Sequence, residues 1–422
     1  MQVYMLNEIQ NRLYEKYNGE GQSPEDQVKG LFFTPAWYTT GSSYGASCLP
    51  KFKAVHEDVE FCFTGNAVFS NISNSSATTF KNWLGRTPVM WWNYPVNDAS
   101  DAVFYTNPIN HYYGQDSNPT NLEGVLSNPM NYAEASKVAF FGLADYTWNP
   151  KAFDAMANWE DSFRAMMPDD ADMAAALREA YGNLNQTFVP ADVKNVLDGY
   201  QSGNKASAAA IRDKMYTIMD AIKKVETLAQ SERVADQLIV EEAQTSFNKL
   251  YDMAALIGGA MATVSSDDPV DQVHGYYIAQ EAIERLDTPK NERYQIISLE
   301  GAGEDIYSSV VEACPSERGL EPFMATAREV LDDFAVEDAD TSGVAIEQVN
   351  ITPNENVEVR QGTTQQFLAA VDADRENVNE VLWSVEGAEA EGTSINKNGV
   401  LTVDTDETAR ELNVTATSAV SY

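Results

Sequence analysis

The amino-acid sequence predicts a multidomain chain with three fold classes in series. These are βα units on a parallel sheet over residues 1–150, an α-helical bundle over 151–338, and a β-sandwich over 341–422. Three observations carry this. Short apolar runs alternate with helical patterns in the first part. Ala, Glu, Lys, Leu and Met recur at helical spacing in the second, and short alternating strands separated by Gly and Asn fill the third. With 422 residues, 44% of them apolar, the chain can bury several cores; about 100–200 residues per domain gives two to four domains.

Leu6, Ile9, Leu13 and Tyr17 fall on one helical face, so residues 3–17 form an amphipathic helix, with no start signal before it. A chain opening inside a helix leads to the expectation that an upstream part is missing. Three apolar runs follow: Leu31-Phe-Phe-Thr-Pro-Ala-Trp-Tyr38, Val59-Glu-Phe-Cys-Phe-Thr-Gly65 and Thr87-Pro-Val-Met-Trp-Trp-Asn93. Helical segments near 75–84 and 132–144 sit between or after them, and that alternation predicts parallel strands. Five of the seven tryptophans precede residue 150.

Residues 171–184, 206–228, 234–257 and 322–334 carry the bundle pattern, with Gly258-Gly259 inside a helix as a packing feature. Beyond 340, Val344-Ala-Ile-Glu-Gln-Val-Asn-Ile-Thr-Pro353, Thr363–Val371, Val381-Leu-Trp-Ser-Val385, Gly399-Val-Leu-Thr-Val403 and Leu412-Asn-Val-Thr-Ala-Thr417 are short strands at sandwich spacing. This stretch holds 4 basic and 14 acidic residues and is expected to be incomplete.

Charge excludes several functions. There are 28 basic and 64 acidic residues, a net of −36, so no basic face exists for nucleic acid or an anionic membrane. Cys48, Cys62 and Cys314 lack CxxC spacing, and His56, His111 and His274 are scattered, so neither a disulfide framework nor a zinc site is expected. No apolar run reaches the roughly 18 residues that span a bilayer. No Gly-rich phosphate loop, Walker sequence or HExxH helix occurs, so no cofactor and no metal is expected.

The densest polar–aromatic cluster is Trp91-Trp-Asn-Tyr-Pro-Val-Asn-Asp98, directly after an apolar strand. In a βα barrel the strand C-termini carry the active site. Flat aromatic faces with amide and carboxylate groups suit a sugar; the same residues also suit a loop whose tryptophans pack the core and whose Asn and Asp cap a helix. Tyr38 ends its run in the same way, and Asn128 in Ser127-Asn-Pro-Met130 also fits simple helix entry. The acidic pairs Glu25-Asp26, Glu57-Asp58, Asp169-Asp170, Asp267-Asp268 and Asp332-Asp333 lie in loops, at a strand beginning or at helix ends, and read as solvated charge. No general acid–base pair is evident.

Several motifs resemble the family 84 glycoside hydrolases, β-N-acetylglucosaminidases that include enzymes called bacterial hyaluronidases. They are Pro35-Ala-Trp-Tyr38, Phe63-Thr-Gly65, the 91–98 run, Ser127-Asn-Pro-Met130, Ala133-Glu-Ala-Ser-Lys-Val-Ala139 and Ala144-Asp-Tyr-Thr-Trp-Asn-Pro150. Phe63 stands where that family usually has Trp, and Ala36-Trp37 where Thr-Glu is common. Residues 344–417 separately resemble the bacterial Ig-like group 2 module. The resemblance implies the C-terminal half of a TIM (β/α)8 barrel, a helical bundle and an Ig-like β-sandwich.

It also implies a pocket for N-acetylglucosamine (GlcNAc), with Tyr38 beside the N-acetyl group and Trp91 as a wall. Asn93 would reach polar sugar atoms, and Asp98 and Asn128 the hydroxyls. The implied mechanism is substrate-assisted and retaining, driven by an adjacent Asp pair expected upstream of residue 1. This chain alone is therefore expected to be an inactive fragment of a secreted or surface hydrolase. Its partners would be GlcNAc-containing glycans or glycoproteins, with cell-surface contacts through the Ig-like module. The alternative is a non-catalytic surface or adhesion protein that keeps a barrel remnant as a carbohydrate-binding scaffold.

Overall fold

The structure is a computed structural model that describes residues 1–18, 23, 27–28, 30–300, 307–335, 346–373 and 381–418. The acidic pair Glu25-Asp26 and residues 344–345 of the 344–353 run lie outside the described residues. The chain divides into two compact units, Met1–Arg178 and Glu179–Tyr422.

The first unit is built on a four-stranded sheet. β1 (Phe32–Phe33), β2 (Glu60–Phe63), β3 (Val89–Pro95) and β4 (Gly124–Asn128) lie side by side in chain order, all parallel. Parallel neighbours need crossovers. They are α2 (Tyr44–Cys48) with a 3-10 turn at Leu49–Ala54, then α3 (Asn74–Leu84), then a long loop. Helix α1 (Gln2–Tyr17) precedes the sheet, and α4 (Ala133–Trp148) and α5 (Ala155–Met166) follow it. Ser73 caps α3 by accepting from the Ser75 N–H, and Gly85 ends it at φ +88°, a conformation costly for any residue with a Cβ.

Two expectations are corrected. The run ending at Tyr38 supplies only two strand residues, because Pro35 removes a donor and turns the chain out of the ladder. A fourth strand, Gly-Val-Leu-Ser-Asn over 124–128, completes the sheet; its Gly and polar ends hide it from a pattern search.

Paired residues on parallel strands share a face, and alternate residues change face. One face buries Phe61, Phe63, Met90, Trp92 and Tyr94 against Phe52, Phe80, Leu84, Leu143 and Tyr146. Burial of each such aromatic contributes about 1.5–3 kcal/mol. The opposite face buries Cys62 and Val89 but leaves Phe32, Trp91 and Leu126 61%, 40% and 38% exposed; Trp91 pairs with Leu126. The unit extends through α5, whose Trp159 is buried and donates its Nε1–H to the Thr106 carbonyl at 2.7 Å.

The boundary between the units falls in α6 (Ala171–Gly182). The second unit holds α7 (Ala191–Asp198), α8 (Lys205–Glu226), α9 (Val234–Ser265), α10 (Pro269–Asp287) and α11 (Glu321–Asp332). An antiparallel hairpin of β5 (Gln295–Glu300) and β6 (Tyr307–Glu312) interrupts the helices, which the helical pattern did not foresee. Helix α9 is buried on every side from Leu250 to Thr263. Gly259 is where α10 crosses it: a Cβ there would lie 2.2 Å from the Gly275 carbonyl oxygen, so the two backbones touch.

Small antiparallel sheets close the chain: β7 (Ile346–Thr352), β8 (Thr364–Gln366), β9 (Leu368–Ala373), β10 (Val381–Glu386), β11 (Ser394–Ile395), β12 (Val400–Thr402) and β13 (Asn413–Ser418). β7 pairs with β9, β10 with β13, and β12 with both β11 and β8. Phe367, Ile395, Leu401 and Val403 form their core, with Trp383 packed against it. At the turn between β11 and β12, Lys397 pairs with Glu226 of α8 at 3.0 Å, and both side chains are under a tenth exposed. Its ammonium lies 4.4 Å from the Tyr251 ring centroid, and Asn398 also donates to Glu226.

Candidate functional site

All four strands point the same way, so the loops leaving their C-terminal ends gather along one edge of the sheet. These loops are stitched together in sequence. Thr64 donates its N–H to the Tyr38 carbonyl and Thr40 to the Gly65 carbonyl, both at 2.9 Å, joining the loops after β1 and β2. Gly65 has φ +102°, and a Cβ there would meet Ser70 Oγ at 1.8 Å. Trp92 Nε1 donates to the Ser70 carbonyl at 3.0 Å, tying the second loop to β3.

The period-2 alternation of β3 separates its two tryptophans. Trp92 is 1% exposed and belongs to the core, whereas Trp91 stands on the open face beside Asn93. Trp91 Nε1 donates to Asn93 Oδ1 at 2.9 Å, Asn128 Nδ2 donates to the same oxygen at 3.1 Å, and Asn93 Nδ2 donates to the Val68 carbonyl at 2.9 Å. Indole N–H only donates and a carbonyl only accepts, which fixes the orientation of the Asn93 amide. Its oxygen is fully used, and one of its N–H groups remains for a ligand. Asn128 keeps its carbonyl oxygen and one N–H.

The register between β3 and β4 shifts between Trp92 and Pro95. Such a bulge re-aims the side chains on either side of it. Asp98 follows and is exposed, and no helix starts there, so it caps none. Its negative charge adds to burial and to Tyr112 and Tyr113 in pushing the Tyr105 phenol up to about 12. Asn128 is likewise no helix cap, since Tyr132 occupies that position for α4. Tyr38 is half-buried, with its carbonyl in the stitch to Thr64.

The structure thus joins Trp91, Asn93 and Asn128 directly, and sets Tyr38 and Asp98 in loops on the same edge. Sequence reasoning missed the parts that fix them: the Val68 carbonyl, Ser70 and Asn97. None has a spacing signal, although Asn97 lies inside the motif. Together the groups offer an aromatic face, two amides and a carboxylate, which can hold a neutral polyhydroxylated ligand. The acidic pairs lie elsewhere: Asp58 accepts from the Tyr14 hydroxyl ahead of β2, Asp170 accepts the Met173 N–H and Asp268 the Val270 N–H in the first turns of α6 and α10, and Asp332-Asp333 ends α11.

Fold and site together define the strand-end site of a partial, barrel-like α/β region followed by helices. Residues 1–180 match the family model described as beta-N-acetylglucosaminidase. The chain resembles the solved structure of CpGH84D, with a TM-score of 0.61 and 19% identity over 79% of this chain and 54% of that one. It resembles that of CpGH84B with a TM-score of 0.52 and 17% identity, over 77% and 55%. It is also 45% identical over 73 residues to the major capsid protein of Bacillus phage B103, 17% of this chain and 16% of that protein. The chain therefore spans about half the length of these solved structures and about a sixth of that curated relative.

Proposed function

We propose that residues 1–150 supply the sugar-binding half of a family 84 β-N-acetylglucosaminidase active site, on the C-terminal half of a (β/α)8 barrel. The carrying observation is the Trp91–Asn93–Asn128 hydrogen-bonded cluster on the strand-end edge, with Asp98 and Tyr38 beside it. The family match over the same residues supports the GlcNAc specificity. Trp91 presents a flat wall to the pyranose, Tyr38 lies beside the N-acetyl group, and Asp98 and Asn128 take the hydroxyls.

The reaction is retaining and substrate-assisted. The acetamide carbonyl oxygen attacks the anomeric carbon, the glycosidic bond breaks, and the leaving oxygen takes a proton from a carboxylic acid. The attack gives an oxazolinium ion that keeps the acetamide N–H; water then opens it at the anomeric carbon, giving its proton to that carboxylate. No described acidic pair stands at the strand-end edge, and the chain covers only 54% of the solved structure of CpGH84D. In this reading the acid–base pair belongs to barrel strands that these residues do not supply. The closing β region is an Ig-like module, and the whole protein works outside the cell on GlcNAc-bearing glycans or glycoproteins.

Calorimetric titration of the 422-residue chain tests the binding half of this reading. GlcNAc should bind and glucose, which lacks the acetamide, should bind at least tenfold more weakly, since each lost hydrogen bond costs about 1 kcal/mol. Equal affinity for the two sugars, or no heat from GlcNAc, overturns it.

A further inference from the structure

Asn97 lies between the strand that carries Trp91 and Asn93 and the exposed Asp98, yet it is itself 3% exposed. Its Nδ2 donates to the Val103 carbonyl at 3.2 Å, and its Oδ1 accepts the backbone N–H of Asn131 at 3.1 Å. One bond closes the loop after β3 on itself; the other ties that loop to the one after β4, which begins beside Asn128. A donor on one side and an acceptor on the other require a carboxamide of this length. Aspartate cannot donate, and serine or alanine cannot span the two.

A second set of contacts joins the same two loops. Asn131 Nδ2 donates to Asp101 Oδ1 at 2.9 Å, the Tyr132 hydroxyl donates to the Asp101 carbonyl at 2.6 Å, and the Phe104 and Tyr132 rings stack with centroids 4.4 Å apart. Backbone turns, Ser100 N–H to Asn97 O and Val103 N–H to Ser100 O, hold the segment between them. Asp98 is exposed and directly follows Asn97, so this frame sets the course of its backbone.

We propose that Asn97 is a positioning residue: it locks the loops after β3 and β4 into one clamp, so that Asp98 and Asn128 meet a sugar as a single preset unit. This rests on the GlcNAc-binding reading above. Asn97 touches no ligand and acts through its neighbours.

The experiment is a double-mutant cycle on the full chain, with GlcNAc as the probe and its Kd as the readout. Asn97→Ala should raise Kd about tenfold, and Asn97→Asp, which keeps the volume but sets a carboxylate oxygen against the Val103 carbonyl, should do the same. Both should shift the melting temperature by only a few degrees. In an Asp98→Ala/Asn128→Ala background, the Asn97 substitutions should add less than twofold, because coupled residues are non-additive. A merely structural asparagine predicts the full tenfold loss in both backgrounds, and that additive result overturns the proposal. An unchanged Kd in Asn97→Ala or Asn97→Asp also overturns it. Failure of the unsubstituted chain to bind GlcNAc is a different outcome, since it removes the underlying site reading and this proposal with it.

Discussion

Removing the Lys397 ammonium should loosen the closing β region more than any other single truncation there. Glu226 is 5% exposed and Lys397 7%, so neither charge can recover its hydration when the other is lost. Breaking one side of such a buried pair costs about 3–5 kcal/mol, and the desolvated cation over Tyr251 contributes about 2 kcal/mol of its own. In Lys397→Met, Glu226 keeps only the amide donors of Gln244 and Asn398. Hydrogen exchange across β11 and β12 reads the effect locally, since a chain of several parts need not unfold in one step. Opening of that hairpin should become roughly 100- to 3000-fold more frequent, at 1.4 kcal/mol per tenfold. Lys397→Met with Glu226→Leu should recover part of the loss, leaving the Asn398 amide orphaned at about 1–3 kcal/mol, while Gln244 keeps its bond to Asn248 Oδ1 at 3.2 Å. Burial, the larger influence, lowers the Lys397 pKa while Glu226 opposes it. The unfolded chain therefore holds the proton more tightly, and the lysine's contribution to stability rises with pH up to the ordinary lysine range; Lys397→Met lacks that rise. An exchange rate in Lys397→Met within tenfold of the unsubstituted chain refutes the reasoning.

The chain should show no turnover of aryl β-GlcNAc substrates above background in a fluorogenic assay; general acid–base catalysis alone is worth about 10²–10⁴-fold. On the proposed reading, in a longer chain that also carries the acid–base pair, Asp98→Ala should lower kcat/KM by about two to four orders of magnitude, from two charge-assisted bonds at about 1.5–3 kcal/mol each. Near-normal kinetics in a folded Asp98→Asn variant removes Asp98 from the site. With Phe32, Trp91 and Leu126 uncovered on one sheet face, the first unit, residues 1–178, should bind a hydrophobic dye and be cut first by protease, while the helices that follow residue 178 persist; survival of 1–178 alone contradicts this.

Periodic patterns made much of the fold legible. Helices α3 and α4 and strands β2 and β3 follow directly from apolar spacing, because one face of each is buried and the pattern records which. Helix α1 forms as its spacing predicts, but it buries Leu6 and Gln10 and leaves Ile9 and Tyr17 of the expected face exposed. Strand β4 and the β5–β6 hairpin were not legible: their residues are polar at the ends, and their pairing partners, not their own sequence, make them strands. At the site, the motif pointed to Trp91, Asn93, Asp98 and Asn128 as residue types. Which of the two adjacent tryptophans faces outward follows from strand parity once the start of β3 is known. The Val68 carbonyl and the Asn97 crosslink carry no pattern, since backbone acceptors and buried amides are defined only by the fold around them.

Asn93 is gripped from three sides, by an indole, a neighbouring amide and a main-chain carbonyl. Its one remaining N–H therefore has a fixed direction in space. A hydrogen bond weakens steeply as the angle at hydrogen falls from above 150° toward 120°. A rotating donor could follow a hydroxyl moved from equatorial to axial; this one cannot. On the sugar-binding reading, this rigidity would select stereochemistry by angle: an epimer with every hydroxyl still present would find one of its partners facing the wrong way.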